Sequence, residues 1–297
     1  MQGFLNRAPL AVDAIAVRPA QLADRAAIHR LTENKQRVHF NLDWWSFDQW
    51  LPADRPSEAI WLAFDHQELV GLLAAPYEQS PVVWLRSSAI ANGYPAAPVF
   101  AALLAHARSA WLACGAEQVA VLAHPEWLRD LTQRLNFTLY NEIMTMHKSS
   151  RGMPGFVRTL AANIRPARPD DIPAIAGNDR AAFESLWQHS AASLAHILKT
   201  VAHFVVAEID NQVVGHAFSD VYDGRGHLIR LVVHPACQRR GIGEQLLRES
   251  LLYQNELGAY PLTLNTQIDN IASQMLYRRY GYQVAGQPVQ VMCLLLH

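Results

Sequence analysis

A pattern that occurs twice constrains the fold of this chain more than any other feature of its sequence. Val17–Ala20 has the sequence Val-Arg-Pro-Ala and is followed by Asp24, and Ile164–Ala167 has Ile-Arg-Pro-Ala and is followed by Asp171 at the same offset. Later matches continue the series with a drift of a few positions. An ordered series with so little drift predicts two copies of one fold that differ by short loop insertions.

The length of the chain agrees with this duplication, because 297 residues are enough for two domains of ordinary size. Ser, Gly and Pro cluster at 149–155, where the apolar periodicity lapses, so this stretch is interpreted as a linker. The predicted domains are 1–150 and 156–297. Apolar residues make up 51% of the chain and charged residues 17%, which excludes intrinsic disorder and supplies material for two buried cores.

Charge and cysteine content exclude several classes of protein. The formal net charge of −1 gives no indication of a nucleic-acid partner or of an acidic membrane surface. No apolar run approaches the length of about 18 residues that spans a bilayer, and the first residues lack the apolar core of a signal peptide. Cys114, Cys237 and Cys293 are too few and too scattered for a disulfide framework or a four-cysteine zinc site. These observations predict a cytoplasmic protein with reduced thiols and no metal.

In the second copy, the hydrophobic periodicity predicts the element order β-α-α-β-β-β-α-β-α-β. The predicted strands are 163–165, 203–209, 212–219, 227–234, 260–265 and 290–296, and the predicted helices are 172–183, 193–201, 243–257 and 271–280. Turn residues support two of these boundaries, because Asp210-Asn211 favours a hairpin and Gly281 suits the end of a helix. The order predicts an α/β (α+β) fold in which a mixed, mostly antiparallel sheet is flanked by helices.

The segment Gln238–Gly243 carries the residues best suited to bind an anion. A strand leads into it and a helix follows, so its backbone N–H groups lie at a helix N-terminus, where the helix dipole favours phosphate. Gly241 and Gly243 let the backbone approach a diphosphate closely, and Arg239 and Arg240 add positive charge. The segment lacks the Lys-Ser/Thr pair of a Walker A loop and the longer glycine pattern of a Rossmann loop.

This segment resembles the Gln/Arg-x-x-Gly-x-Gly/Ala loop of the GNAT superfamily of N-acetyltransferases. The preceding residues Leu231–Pro235 resemble the fourth strand of that family. Further along, Asn270, Ala272, Leu276-Tyr277 and Gly281-Tyr282 resemble its Asn, Ala, Leu-Tyr and Gly-Phe/Tyr positions. The resemblance covers essentially all of 160–297. Together with the duplication it implies two tandem GNAT-like domains, of which the second carries the active residues.

The resemblance implies an acetyl-CoA-dependent N-acetyltransferase that passes the acetyl group directly to a primary amine. It places the diphosphate on Gln238, Arg239, Arg240, Gly241, Ile242 and Gly243, and the pantetheine arm on Leu231, Val232, Val233, Asn270 and Ala272. It also implies that Tyr277 protonates the departing CoA thiolate, which a phenol can do because its hydroxyl is a donor at neutral pH. The implied partners are acetyl-CoA and an amine-bearing small molecule or peptide.

The resemblance leaves several candidates for the general base that deprotonates the amine. One branch of the family uses a Glu on the fourth strand, and counting back from the glycine loop places His227 there. Another branch uses a Glu on the fifth strand, where this chain has Asn265, whose amide cannot accept a proton. His227 is chemically adequate as a base near neutral pH. The alternatives are Glu208, Asp220 and Asp223.

The first copy lacks the residues that carry the chemistry. Pro95–Phe100 stands in place of the loop, without its glycines and arginines, and its two prolines cannot donate a hydrogen bond. The positions that match Asn270, Ala272 and Tyr277 are occupied by Pro125, Trp127 and Thr132. The first copy is therefore interpreted as a degenerate GNAT-like domain that keeps the fold and has lost conventional acetyl-CoA binding. Unproductive binding of CoA by this copy is the alternative.

The tryptophans are distributed unevenly between the two copies. Seven of the eight tryptophans lie in the first copy, and core packing accounts for most of them. The segment Asp43-Trp44-Trp45 is a candidate wall for an acceptor groove.

A duplication within one chain can replace the homodimer that is common in the superfamily, so a monomer or weak dimer is expected. The rival hypothesis for the whole protein is a non-catalytic CoA-binding, sensing or scaffold protein.

Overall fold

The structure, a computed structural model, describes residues 15–33, 37–41, 46–78, 81–155 and 161–297. The chain divides into two units, of which the first comprises the residues up to Tyr140 together with Gln290–His297 and the second comprises Asn141–Val289. These units differ from the predicted ranges 1–150 and 156–297 at two segments. Ile143–Lys148 pairs with a strand of the second unit, and Val291–Leu295 pairs with a strand of the first.

The first unit contains two sets of paired strands. In chain order its elements are β1 (Ile15–Pro19), α1 (Arg25–Thr32), β2 (Val38–Phe40), β3 (Ile60–Asp65), β4 (Glu68–Ala74), β5 (Val82–Trp84), β6 (Ser87–Ile90), α2 (Ala96–Ala113), β7 (Gln118–Leu122), α3 (Glu126–Arg134) and the start of β8 (Thr138–Lys148). The strands pair in the order β1-β3-β4-β6-β2. Separately, β5 pairs in parallel with β7, and the other edge of β7 pairs antiparallel with Val291–Leu295.

Helix α2 is long and apolar enough, by length and composition alone, to cross a membrane. Its apolar side chains are instead part of the core of the first unit, where Val99, Phe100, Leu103 and Trp111 are buried. Gly71 on β4 permits this packing, because a Cβ at that position would collide with the Val99 side chain. Burial of the apolar face therefore accounts for the composition of this helix.

The second unit begins with the remainder of β8 and contains the predicted order of helices and strands. Its elements are β9 (Asn163–Pro166), α4 (Ile172–Ala182), α5 (Ala191–Thr200), β10 (His203–Ile209), β11 (Gln212–Tyr222), β12 (Arg225–Val233), α6 (Ile242–Glu256), β13 (Leu262–Gln267), α7 (Ile271–Arg279) and the part of β14 (Gln283–Leu295) up to Val289. β14 begins earlier than the predicted 290, because Gly286 and Pro288 obscure the strand pattern of its first half.

The sheet of the second unit has the strand order β9-β10-β11-β12-β13-β8. Each neighbouring pair is antiparallel except β12 and β13, which are parallel. A parallel neighbour requires a crossover, and helix α6 provides it. The predicted mixed, mostly antiparallel sheet flanked by helices is confirmed.

The duplication is visible as the same ion pair near the beginning of each unit. Arg18 donates two hydrogen bonds to the carboxylate of Asp24, each 2.7 Å long, and Arg165 donates two to Asp171, of 2.8 and 2.9 Å. In both units the carboxylate also accepts the backbone N–H of the residue three positions earlier, at 2.8 Å. The repeated Arg-Pro-Ala…Asp pattern is therefore a local structure that orients the first helix of each unit.

The first hairpin of each unit repeats an irregularity as well. The pairing of β3 with β4 shifts its register between Ala63 and Phe64, and the pairing of β10 with β11 shifts between Ala207 and Glu208. A bulge of this kind adds a residue and increases the local twist of the strands. Two copies of the same bulge at the same place support one fold occurring twice.

Packing on the sheet of the second unit positions the N-terminus of α6. Leu246, Leu247 and Leu251 on one face of α6 are fully buried in the core of this unit. Gly215 on β11 lets the backbone of the next strand approach, since a Cβ there would lie 2.7 Å from the carbonyl oxygen of Val232. The helix begins at Ile242, a few residues after β12 ends at Val233, and the glycine loop lies between them.

Candidate active site

Strands β12 and β13 separate within the sheet of the second unit. Their parallel pairing joins Gly226–Leu228 to Leu262–Leu264 and ends there. β12 nevertheless continues to Val233 and β13 to Gln267. A gap therefore opens between the two strands beyond Leu228.

A bulge in β12 explains this separation. The register of β12 against β11 shifts between Phe218 and Ser219, which leaves Ile229 as an extra residue in β12. An extra residue bends the strand that contains it. Beyond the bulge, Leu231–Val233 pairs with β11 but not with β13, so one edge of its backbone remains available to a ligand.

A cleft of about 530 Å³ lies at this gap. The predicted site residues that line it are Leu231, Val232, Val233, Gln238, Arg239, Gly241, Gly243, Asn270 and Ala272. Leu276 of the family motif also lines it, together with residues that the sequence did not single out, namely Ala182, Phe183, Glu244, Ser273, Met275 and Arg279. The cleft thus joins the end of β12, the glycine loop, the start of α6 and one face of α7.

The glycine loop has a backbone conformation that gathers N–H groups at the cleft. Gly241 is the N-cap of α6 and has φ +91°, a left-handed conformation that favours glycine. Gln238 fastens the loop to the strand, because its Nε2 donates to the carbonyl oxygen of Val233 at 3.1 Å. The first N–H groups of α6 have no partner within the helix, so they and the helix dipole can bind an anion.

Two residues of the predicted loop set do not line the cleft. Ile242 is 1% exposed and packs in the core of the second unit. The Nη2 of Arg240 donates to the carbonyl oxygen of Ala236 at 3.3 Å, whereas Arg239 lines the cleft. At Gly243 a Cβ would make only ordinary contacts of 3.7 Å or more with the surrounding protein, so packing does not require glycine there.

One face of α7 forms the opposite wall of the cleft. Asn270 caps this helix, since its Oδ1 accepts the backbone N–H of Ser273 at 3.2 Å, and the cap leaves its amide nitrogen for a ligand. Ser273, Leu276 and Arg279 follow at helical spacing on the same face. This spacing is a signal by which the sequence alone could have indicated Arg279.

Tyr277 lies behind this wall and is 6% exposed. The Ser273 side chain, which lines the cleft, lies near its hydroxyl. Burial raises the pKa of Tyr277 to about 12, and the Ser273 side chain and the nearby charge of Arg230 partly oppose this rise. The phenol therefore stays protonated at neutral pH and is a hydrogen-bond donor but a weak acid.

His227 lies on the paired part of β12, ahead of the gap, and does not line the cleft. Its Nδ1 is 2.8 Å from the Oγ1 of Thr263, and that hydroxyl donates to the carbonyl oxygen of Gly226 at 3.1 Å. Because the Thr263 proton is used in this way, His227 Nδ1 carries the proton and Nε2 has the free lone pair. Burial lowers the pKa of His227, which favours the neutral imidazole that a base requires.

The other candidate bases have different surroundings. Glu208 is bound by Arg165, whose Nε and Nη2 donate to its Oε2 at 2.8 and 2.6 Å. Asp220 accepts the N–H of Val221 at 2.8 Å, and Asp223 lies in the turn before β12. Asn265 is exposed on β13, just beyond the last residue that pairs with β12.

Sequence reasoning missed a buried ion pair beside the cleft. Arg230 donates to both carboxylate oxygens of Asp179, with distances of 2.7 to 3.0 Å, and to the carbonyl oxygen of Trp187 at 2.8 Å. Its guanidinium also stacks 3.8 Å above the ring of Phe183, which lines the cleft. His216 is fully buried, and its Nε2 is 3.8 Å from Asp179. This cluster supports the cleft wall at the point where β12 leaves β13.

The counterpart of the loop in the first unit has a different chemistry. Pro95 is the N-cap of α2 and has φ −70°, at the position that Gly241 occupies before α6. Pro98, in the first turn of α2, lacks an N–H group. Pro125 caps α3, at the position that Asn270 occupies before α7. Each of these prolines lacks a donor that the matching residue of the second unit has.

Three of the first-copy tryptophans are buried, in agreement with core packing: Trp50, Trp61 and Trp111. The rings of Trp61 and Trp111 meet edge to face with centroids 5.8 Å apart. The candidate acceptor-groove segment Asp43-Trp44-Trp45 lies outside the described residues. Within the ranges that are described, no group of three or more His, Cys, Asp or Glu side chains is placed to hold a metal ion.

The fold agrees with comparisons to known proteins. Residues 172–282 match the model of the acetyltransferase (GNAT) family. An uncharacterized N-acetyltransferase of Methanocaldococcus jannaschii is 36% identical over 81 residues, which are 27% of this chain and 52% of that protein, so the chain spans about half of that relative. A putative [ribosomal protein bS18]-alanine N-acetyltransferase of Bacillus subtilis is 25% identical over 44% of this chain and 85% of its own length.

The second unit is therefore similar to members of the GNAT acetyltransferase family. The fold of the chain as a whole is similar to that of a tandem GNAT protein from the clavulanic acid biosynthesis pathway. That structure matches with a TM-score of 0.62 over 95% of this chain and 99% of its own chain, at 10% sequence identity. The likeness shows that the two chains share a fold.

Proposed function

We propose that the second unit transfers the acetyl group of acetyl-CoA to an amine. The observation that carries this proposal is the gap between β12 and β13, which opens onto the N-terminus of α6. A diphosphate fits the N–H groups and the Arg239 side chain at that helix end. A pantetheine arm, which carries amide groups, fits the edge of Leu231–Val233 that β13 does not pair with, and the amide nitrogen of Asn270, which the helix cap does not use.

The proposed reaction forms one bond and breaks one. The amine nitrogen bonds to the acetyl carbon, the bond between that carbon and the CoA sulfur breaks, and the sulfur leaves with the electron pair of the broken bond. One amine proton goes to the base, and the thiolate takes up a proton to give CoA. The protein contributes by positioning the two reactants and by holding a donor near the sulfur.

In this reaction Tyr277 serves as the donor to the departing sulfur. A phenol with a pKa of about 12 is a weaker acid than a thiol, so it stabilises a thiolate by a hydrogen bond more readily than by losing its proton. Tyr277→Phe is expected to lower kcat by about 10- to 100-fold while acetyl-CoA still binds. Steady-state kinetics and calorimetric titration measure the two effects.

Tyr282→Phe is the matched control for this substitution. Tyr282 is also buried, its ring centroid is 6.1 Å from that of Tyr277, and its hydroxyl has no partner in the described part of the chain. Its loss is therefore expected to leave kcat nearly unchanged. An unchanged kcat in Tyr277→Phe would remove Tyr277 from the proposed mechanism.

His227 is proposed as the general base, acting through its Nε2 and a water molecule. Because burial lowers the pKa of His227 below its usual value of about 6.5, it is neutral at pH 7 and becomes protonated only as the pH falls. The wild-type kcat/KM is therefore expected to have an acid limb with a midpoint below about 6.5. In His227→Ala this limb should disappear, with a loss of about 100-fold at pH 7.

The pH profile is measured with an acceptor amine of low pKa, so that ionisation of the acceptor does not hide that of the protein. Thr263→Val provides a second variant, because it removes the acceptor that holds Nδ1 protonated. It is expected to reduce kcat/KM less than His227→Ala does. An acid limb that persists unchanged in His227→Ala would exclude His227 as the general base and would favour Asp220.

The acceptor is proposed to be a primary amine on a small molecule or a peptide. A panel of polyamines, amino sugars, amino acids and peptides with free N-termini tests this, with release of CoA thiol as the readout. The rival function, a non-catalytic CoA-binding or scaffold protein, predicts calorimetric binding of acetyl-CoA without thiol release for any of these amines.

The first unit is proposed to have lost acetyl-CoA binding, because prolines stand where the second unit offers N–H donors. Calorimetric titration of the full chain with acetyl-CoA is then expected to give one site per chain. A stoichiometry of two would instead support unproductive binding of CoA by the first unit.

A further inference from the structure

Arg279 ends α7 on the helix face that lines the cleft, and 52% of its side chain is exposed. One turn earlier, Leu276 approaches the first turn of α6, since a Cβ at Gly243 would lie 3.9 Å from a Leu276 methyl carbon. Arg279 therefore lies beside the helix end where the loop N–H groups gather. Neither the family motif nor the glycine loop includes this residue.

The cleft also contains a carboxylate at the place that suits a phosphate. Glu244 lies in the first turn of α6, lines the cleft and is 8% exposed. Its Oε1 accepts a hydrogen bond from the Tyr280 hydroxyl at 2.8 Å and forms an ion pair with Arg279 Nη2. The helix dipole stabilises this carboxylate, but its charge opposes the entry of a second anion.

The guanidinium of Arg279 has donors beyond those that the ion pair uses. Glu244 and Tyr280 are its partners among the residues that the structure describes. A guanidinium has five N–H donors in a planar fork, and this fork matches phosphate oxygens. With half of its side chain exposed at the cleft, Arg279 can keep its contact with Glu244 and still donate to an anion.

We propose that Arg279 is a phosphate-binding residue that bridges Glu244 and the diphosphate at the N-terminus of α6. The inference rests on the proposed function, because the diphosphate is that of acetyl-CoA. Glu244 holds the guanidinium beside the helix end, and the guanidinium in turn offsets the carboxylate that would repel the ligand.

The first test measures CoA binding by calorimetry in Arg279→Ala and in Arg278→Ala. Arg278 is the matched control, since it carries the same charge on the same turn and its Nη2 contacts Gln274 at 3.3 Å. Loss of a charge-assisted contact predicts that Arg279→Ala weakens binding by about 10- to 100-fold. For Arg278→Ala we expect a change of less than about threefold, as for a surface charge. Equal effects of the two substitutions would overturn the proposal.

The second test locates the phosphate. Arg279→Ala is titrated with CoA and with 3′-dephospho-CoA, which keeps the diphosphate and lacks the 3′-phosphate. The proposal predicts the same fold-loss for both ligands. A loss confined to CoA would place the contact on the 3′-phosphate and would overturn the diphosphate assignment.

The third test separates a direct contact from mere neutralisation of Glu244. Glu244→Gln keeps an oxygen for the Tyr280 hydroxyl and removes the charge. If Arg279 contacts the diphosphate, the variant Glu244→Gln/Arg279→Ala binds CoA about tenfold or more weakly than Glu244→Gln alone. Equal affinities of these two variants would show that Arg279 only offsets the carboxylate.

Thermal unfolding without ligand establishes that each variant is folded. Because the Arg279 side chain is exposed, its substitution is expected to leave the fold intact. The outcomes for the two proposals are distinct. Wild-type protein that fails to bind CoA would contradict the proposed function. Wild-type protein that binds CoA, together with an Arg279→Ala variant that binds it equally well, would contradict only the role of Arg279.

Discussion

Asp179→Leu is expected to destabilise the second unit by about 3 to 5 kcal/mol, because it leaves the Arg230 charge without its partner in a buried site. Asp179 is fully buried and Arg230 is 12% exposed at its side chain. The substitution removes three hydrogen bonds from Arg230 and one from the backbone N–H of His189. Urea unfolding of the wild type and the variant measures the loss.

Two further variants test the physical reason for this loss. Asp179→Leu/Arg230→Met replaces both charges by apolar groups and is expected to recover most of the stability, because no unpaired charge remains. In the first unit, Asp24→Ala breaks the repeated Arg18–Asp24 pair, whose arginine side chain is 43% exposed, and is expected to cost only about 1 kcal/mol or less. A loss below about 1 kcal/mol for Asp179→Leu itself would contradict the prediction.

Gly241→Asp is expected to abolish measurable acetyl-CoA binding, with a loss of affinity of about 100-fold or more. The residue has φ +91°, where a side chain strains the backbone, and the N–H groups that follow would lose their geometry. The new carboxylate would also place a negative charge at the anion-binding helix end. Calorimetric titration with acetyl-CoA measures the loss.

Gly258→Asp is the matched control for this variant. Gly258 also has a positive φ, of +68°, and a Cβ there would meet nothing within 4 Å. It follows the C-terminal end of α6, away from the cleft. We expect this variant to lose stability from the same backbone strain and to retain acetyl-CoA binding. Retention of binding in Gly241→Asp would refute the loop assignment.

The local parts of this structure were predictable because they depend on neighbouring residues. Strand β12, the loop of Gln238–Gly243 and helix α6 follow one another in the chain, and glycines with a preceding Pro mark the boundaries. The same holds for the repeated Arg-Pro-Ala…Asp structure. In these segments the backbone conformation is determined by residues a few positions apart.

The missed parts depend on which distant elements meet. Arg230 and Asp179 are far apart in the sequence, and neither lies in a motif, so only the packing of α4 on the sheet brings them together. Glu244 and Arg279 become partners in the same way, through α6 and α7. The strand exchange, in which Ile143–Lys148 pairs within the second unit and Val291–Leu295 within the first, was also unpredictable. A strand pattern of period two does not specify which strand is its partner.

That exchange determines how the chain can be divided experimentally. A fragment that ends near residue 150 would keep Ile143–Lys148 without the strand it pairs with and would lack the Val291–Leu295 segment of its own sheet. During synthesis, the first unit cannot complete its sheet until that segment has left the ribosome, after the whole second unit. Removal of Gln290–His297 should therefore damage the unit that was made first and spare the cleft.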